Sequence, residues 1–264
     1  MATVLDLDTQ AATGDSGFIE AVTSTLPGPI VCHGGSIDAL QGMLHPIEAL
    51  DVQHAVEKRV REFTAGRTSA RAALQRLGYD DIAIPVGKRR QPVWPAGVTG
   101  SISHAGDHCL AAVCTRNHFS GLGVDIEQAT PLCDRLVDLV CTPEERMRMA
   151  NGAGSMTALL AKFMFSAKEA VFKCLFPIYG EELEFHDVSL DISLHEGRYT
   201  AHVSRFALNA GEDLELHGRF ACTAQLVITA AILHDDDIQH LTGWNPGTRL
   251  DGCTGRFLCG AGDW

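Results

Sequence analysis

Two acidic side chains, Asp125 and Glu127, sit in the run Gly123-Val124-Asp125-Ile126-Glu127, where Leu122, Val124 and Ile126 alternate with Gly123, Asp125 and Glu127. A period of two reads as a strand, on which both carboxylates project from one face while Val124 and Ile126 enter a core. Carboxylates that close repel each other unless water or a cation lies between them. A hard divalent ion, Mg²⁺ above all, suits such a pair, especially where substrate phosphates supply further oxygen ligands. The exposed face of an edge strand would show the same pattern.

Lys162, Ser166, Glu169 and Lys173 follow at helical spacing and form one stripe. Taken simply, that stripe is the solvated side of a buried helix, and Lys162 is assigned to it. Glu169 can add a third carboxylate and complete a metal cage. Lys168 lies off the stripe, among Phe165, Phe172 and Leu175, where an ammonium needs an anionic partner or a route to water. Lys168 and Lys173 are then candidates for phosphate oxygens. In Gly100-Ser101-Ile102-Ser103-His104, a nucleophilic set of Ser103, His104 and Asp107 is too close along the chain for triad geometry, and no GxSxG elbow is present. His104 fits better as a phosphate contact, with a satisfied core histidine as the plainer alternative.

The charge distribution agrees. The chain of 264 residues carries a formal net charge of −12, which argues against general nucleic-acid binding. Residues 57–90 hold nine Lys/Arg (Lys58, Arg59, Arg61, Arg67, Arg71, Arg76, Lys88, Arg89, Arg90) against Glu57, Glu62, Asp80 and Asp81, which points to a local anion site. The apolar fraction of 45% excludes global disorder. Met1 to Asp8 shows no secretory signal, and charges at Lys162, Lys168, Glu169 and Lys173 interrupt the most apolar stretch, so a soluble, cytoplasmic protein without a membrane span is expected. Nine cysteines without a CxxC pair read as small core residues, and the scattered histidines lack an HExxH context.

These side chains need elements to hold them. Helices are predicted over 51–64 and 67–77, the second stopped by Gly78, and a Pro/Gly-rich basic loop over 85–100. Strands are predicted around 101–103, 109–115 and 119–127, followed by a capped helix start at Thr142-Pro143-Glu144-Glu145. A long apolar helix over 155–176 should stop at Pro177. Strand-like runs follow at 188–194 and 199–203, and then an apolar run at 219–233. Each half reads as helices leading into strands, a pseudo-duplicated α+β arrangement. Metal-assisted attack on a phosphoanhydride follows from this kit. It leaves transfer and hydrolysis both open.

The GVDIE run, followed by Phe165-Ser166-Ala167-Lys168-Glu169-Ala170-Val171-Phe172-Lys173, resembles the paired signature of the 4′-phosphopantetheinyl transferases. Lys58-Arg59, Glu62-Phe63, Ala65-Gly66-Arg67, Ala70-Arg71-Ala72-Ala73-Leu74, and Gln91-Pro92-Val93-Trp94-Pro95 leading into Gly100–His104 resemble blocks of the siderophore-synthase (enterobactin-type) branch, as does Phe165 in place of tryptophan. The resemblance covers roughly residues 50–235.

It implies an α+β fold of two similar α/β halves related by pseudo-twofold symmetry, with the active site and coenzyme A at their interface. The N-terminal half would span 1–120 with the basic coenzyme A-binding segment and the C-terminal half 121–235 with the metal motifs, leaving 236–264 as an extension of unassigned role. The implied reaction transfers 4′-phosphopantetheine from coenzyme A to a serine of an apo carrier protein and releases adenosine 3′,5′-bisphosphate. The carriers would belong to peptide, polyketide or fatty-acid synthases, in siderophore or other secondary metabolism.

By the same resemblance Asp125, Glu127 and Glu169 would hold Mg²⁺, and Lys168 and Lys173 would contact the pyrophosphate. Arg59, Arg67, Arg89 (counting back from Pro92) and His104 would bind the 3′-phosphate and adenine end, with Ser103 assisting. Glu169, Glu127 or a metal-bound water would take the serine proton. Glu144, where some members carry a further acid, is read as part of the capping box. A monomer is expected. A Mg²⁺-dependent hydrolase of coenzyme A or nucleoside diphosphates is the alternative. A non-catalytic carrier-binding module is disfavoured by the intact Asp125, Glu127, Glu169 and Lys173.

Overall fold

Helix α3 (Glu57–Arg76) anchors the N-terminal half in the computed structural model, which describes residues 16–26, 28–151, 156–180, 183–204, 213–234 and 237. Glu57 in its first turn and Arg76 in its last complement the helix dipole. The helix ends where Gly78 takes φ 86° and the Gly78 and Tyr79 amides donate to Gln75 O and Leu74 O. The expected break near residue 65 is absent. Gly66 stays helical because its missing side chain lets α3 close on β2: a Cβ there would stand 3.0 Å from Ile102 Cγ2. Residues 46–52 form a separate short helix instead, α2 (Pro46–Val52). Helix α1 (Ser16–Thr25) and strand β1 (Val31–Ser36) lie in a stretch whose sequence shows no periodic signal.

Strands β2 (Val98–Ala105) and β3 (His108–Thr115) join β1 in an antiparallel sheet of order β1-β3-β2. The second sheet, all antiparallel, runs β4-β8-β7-β6-β5, with β4 (Gly121–Gln128), β5 (Val188–Ser193), β6 (Arg198–Val203), β7 (Leu214–Cys222) and β8 (Leu226–Leu233). The apolar run at 219–233 falls on two strands, β7 and β8, turned at Thr223, whose hydroxyl accepts from the Gln225 and Leu226 amides. Short helices α4 (Asp134–Val140) and α5 (Pro143–Asn151) lead into the long α6 (Met156–Tyr179). Pro177 does not stop α6. It sits in the final turn, costing the one bond its N–H would have made to the Lys173 carbonyl, and the helix closes at Gly180, at φ 68°.

The two-lobed α+β arrangement expected from the sequence is the one observed. Each half lays one long helix on one antiparallel sheet over its own core: Ala70, Leu74, Ile102 and Val113 under α3, and Val171, Leu175, Leu190 and Leu216 under α6. A third core, including Phe18, Val22, Leu110, Val124, Ile126 and Ile228, fuses the halves. Strands β2 and β4 meet across the junction without a backbone ladder. Serine hydroxyls bridge them: Ser101 Oγ donates to Val124 O at 3.3 Å, and Ser103 Oγ accepts from the Ile126 amide at 3.2 Å. The extension expected at 236–264 falls, apart from Asp237, outside the described residues.

Helix α6 sits unusually close to β4. A Cβ on Gly123 would collide with the backbone carbonyl of Ala170, which cannot rotate away. Gly123→Ala should therefore cost at least about 3 kcal/mol, the upper range for overpacking, and show as a lower urea midpoint. An unchanged midpoint would mean that α6 can shift outward freely.

Candidate active site

Strand β4 buries Val124 and Ile126 fully, as their alternation requires, and turns Asp125 and Glu127 toward α6. Neither carboxylate lies on an exposed edge. Asp125 is 4% exposed and Glu127 is half-buried, because α6 and β2 cover the strand. Asp125 Oδ1 accepts from Lys173 Nζ at 2.8 Å and Ser103 Oγ at 3.0 Å. Its other oxygen, Oδ2, is buried with no hydrogen-bond partner. Glu127 Oε2 accepts from Lys162 Nζ at 2.9 Å.

The stripe on α6 faces the sheet rather than water. Ser166 and Thr229 on β8 share a hydroxyl hydrogen bond of 2.9 Å, and Lys162, Glu169 and Lys173 are all buried. The expectation that Lys162 lies on a solvated side is thus corrected: the acidic face of β4 needs cations, and Lys162 is one of them. Glu169, 7% exposed, has its carboxyl pushed up to about 7, first by burial and then by Asp125 and Glu127, with Lys173 opposing. Burial and then Asp125 likewise raise Glu127, while Lys162 and Lys173 pull it down. Burial works against the Lys173 ammonium, but Asp125 and Glu169 hold it above the ordinary lysine value. Three carboxylates and two ammonium groups therefore share one electrostatic neighbourhood.

Lys168 lies elsewhere. Its ammonium, 2% exposed, donates to Glu145 Oε2 at 2.8 Å, Val140 O at 2.8 Å and Phe185 O at 3.0 Å. All three protons are committed, so its expected contact with pyrophosphate is not supported. Burial lowers its proton affinity, and Glu145 partly restores it. Glu145 in turn accepts from the Thr142 and Leu190 amides, and Thr142 Oγ1 accepts from the Glu145 amide. The capping box is real, but its acid is Glu145, at the third helical position. Glu144 is exposed.

The N-terminal half supplies further cations. Arg59, Phe63 and Arg67 share a stripe of α3, with the two guanidinium carbons 6.0 and 4.2 Å from the Phe63 ring centre. Arg59 Nη1 lies 3.4 Å from His104 Nε2, and since arginine can only donate, that nitrogen accepts and Nδ1 carries the proton. Nδ1 faces Glu62 at 4.0 Å, a residue given no site role from sequence although it lies one helical turn from Arg59. Arg67 does not offer an open face: it is 2% exposed and donates from Nε to Ile84 O at 2.7 Å, so it lends charge from behind Phe63. Arg89 lies exposed on the 85–95 loop, its amide bonded to Gln91 Oε1. Ser103 stands with the carboxylates rather than with the phosphate-binding group, because its hydroxyl ties Asp125 and Lys173 to β2.

The donor set suits a divalent cation. An orphaned, buried carboxylate oxygen and a carboxyl driven up by burial and then by two acidic neighbours are both relieved by positive charge among three oxygen ligands. Among the described residues no ready-made cage of three His, Cys, Asp or Glu groups is present, and Lys162 and Lys173 occupy carboxylate oxygens instead.

Comparison with known proteins places the same residues in two adjoining family models. The 4′-phosphopantetheinyl transferase N-terminal domain matches 47–114, and the 4′-phosphopantetheinyl transferase superfamily matches 121–231. The chain is 38% identical over 191 residues to the 4′-phosphopantetheinyl transferase Svp of Streptomyces mobaraensis, covering 71% of this chain and 78% of the relative. It is 33% identical over 196 residues to PptT of Mycobacterium tuberculosis, covering 71% and 85%. Enterobactin synthase component D of Escherichia coli strain K12 is 42% identical over 124 residues, covering 46% and 57%. With the two matched segments joined where Ser103 of the first bonds Asp125 and Lys173 of the second, the chain belongs to the 4′-phosphopantetheinyl transferase superfamily.

Proposed function

We propose that this chain transfers the 4′-phosphopantetheine arm of coenzyme A to a serine hydroxyl of an apo carrier protein, with Mg²⁺ as the divalent ion and adenosine 3′,5′-bisphosphate as leaving group. Family membership favours transfer over hydrolysis of coenzyme A. The likeness to enterobactin synthase component D supports carriers of siderophore or other secondary-metabolite synthases as substrates. The observation that carries the metal reading is the buried, unpartnered Asp125 Oδ2 beside Glu127 and Glu169.

In this reading Arg59 and His104 bind the 3′-phosphate end, backed by the charge of Arg67, with Arg89 reaching from its loop. Lys173, fixed against Asp125 and Ser103, presents charge toward the pyrophosphate. Asp125, Glu127 and Glu169 would hold Mg²⁺. When bound, the cation polarises the anhydride and offsets charge as the leaving bisphosphate departs. Glu169, Glu127 or a metal-bound water would accept the serine proton. The serine oxygen then bonds to the pantetheine-side phosphorus, and the phosphorus–oxygen bond to the adenosine bisphosphate breaks. Every proposed side chain comes from one chain, so a monomer suffices. No described helix is long and apolar enough to cross a membrane.

Incubating the protein with coenzyme A, Mg²⁺ and a panel of apo peptidyl, aryl and acyl carriers should add one phosphopantetheine arm to a carrier, read by mass spectrometry. Consumption of coenzyme A without a carrier, and no gain on any carrier, would support the hydrolase instead.

A further inference from the structure

Two ammonium groups meet the acidic cluster, and their surroundings differ. Lys173 is clamped: it donates to Asp125 and Ser103, and its side chain is 7% exposed. Lys162 makes one ion pair, to a single oxygen of the half-buried Glu127, near the rim of the cluster. Its ammonium also lies 5.6 Å from the Phe165 ring centre, a second resting place that keeps a cation partly satisfied away from the carboxylate. One ligand-type oxygen is taken by a cation built into the protein.

We propose that Lys162 is an internal stand-in for the divalent cation: its ammonium holds Glu127 in the metal-free protein and must leave that oxygen when a metal ion binds. The inference rests on the metal reading of Asp125, Glu127 and Glu169. Lys162 is then a positioning residue. It keeps Glu127 from facing Asp125 uncompensated in the empty cluster and sets how much metal is needed to fill it. A divalent ion brings two positive charges where Lys162 brings one, so exchange at Glu127 is favourable once the ion is abundant and reversible when it is scarce. Lys173, by contrast, stays in place throughout, because moving it would strip Asp125 and Ser103 together.

Mn²⁺ binding to the protein alone, followed by electron paramagnetic resonance, tests this without reference to turnover. Lys162→Met, which keeps the apolar stem and removes the competitor, should bind Mn²⁺ about fivefold more tightly than the unaltered chain, the scale of one partly buried ion pair. Its melting temperature without metal should fall, and the rise on adding Mn²⁺ should be larger than in the unaltered chain. Lys162→Arg, which retains the cation, should keep the original affinity. Equal or weaker Mn²⁺ binding by Lys162→Met, while the unaltered chain binds and Glu169→Gln does not, would overturn the stand-in role and leave the metal site intact. No Mn²⁺ binding by any of the proteins would overturn the metal reading and this inference with it.

Discussion

Glu169→Gln should leave a folded protein that transfers at least roughly a hundredfold more slowly, since loss of an outer-shell partner alone costs up to that factor and a direct ligand costs more. The same variant should be more stable than the unaltered chain at alkaline pH. Glu169 has its carboxyl raised from 4.5 to about 7, chiefly by burial. The folded state therefore binds this proton more tightly than the unfolded state. Its stabilising contribution is complete below about pH 4.5 and is lost as pH rises through about 7. Glutamine never ionises, so the variant escapes that loss, worth at most about 3 kcal/mol. Urea melts of the metal-free proteins from pH 5 to 8 should diverge, with the variant ahead at the upper end, and added Mg²⁺ should stabilise only the unaltered chain. A fully active variant, or parallel stability curves, would remove Glu169 from the site.

The second large effect falls on the buried Lys168–Glu145 pair. Glu145→Ala would strand the Lys168 ammonium and leave the Thr142 and Leu190 amides without an acceptor. A loss of about 4 kcal/mol or more is expected, within the range for breaking a buried pair. Lys168→Met should cost less, because Glu145 keeps its two amide donors. The double variant should lose less than the sum of the two, as a coupled pair requires. Chemical denaturation measures all three. If Lys168 instead touched the pyrophosphate, Lys168→Met would melt normally and bind coenzyme A poorly, so the two assays separate the roles.

Local patterns were readable wherever one element sufficed. The period-two run at 121–128 placed Asp125 and Glu127 on one face, and the steps from Lys162 to Lys173 placed a polar stripe on one helix. Thr142-Pro143-Glu144-Glu145 announced a helix start, and counting to its third position would have singled out Glu145. The motif resemblance carried the family and the two-lobed fold. Glycine and proline misled where neighbours overrode them: Gly66 marks a close helix–sheet contact rather than a break, and Pro177 falls inside the last turn of α6.

Which way a face points, and what waits there, was decided only by tertiary structure. Lys162 and Lys168 are six residues apart on one helix. One reaches Glu127, 35 residues away in sequence, and the other reaches Glu145 on the opposite flank. Ser103 joins the carboxylates because β2 docks beside β4, and Arg67 is buried because Phe63 and Ile84 close over it. Sequence alone determined the side-chain types and their local periodicity, since backbone geometry sets those within a few residues. The pairing of charges was settled by packing between distant segments, because a buried ion takes whatever opposite charge the fold brings within reach, and no local pattern encodes that distance.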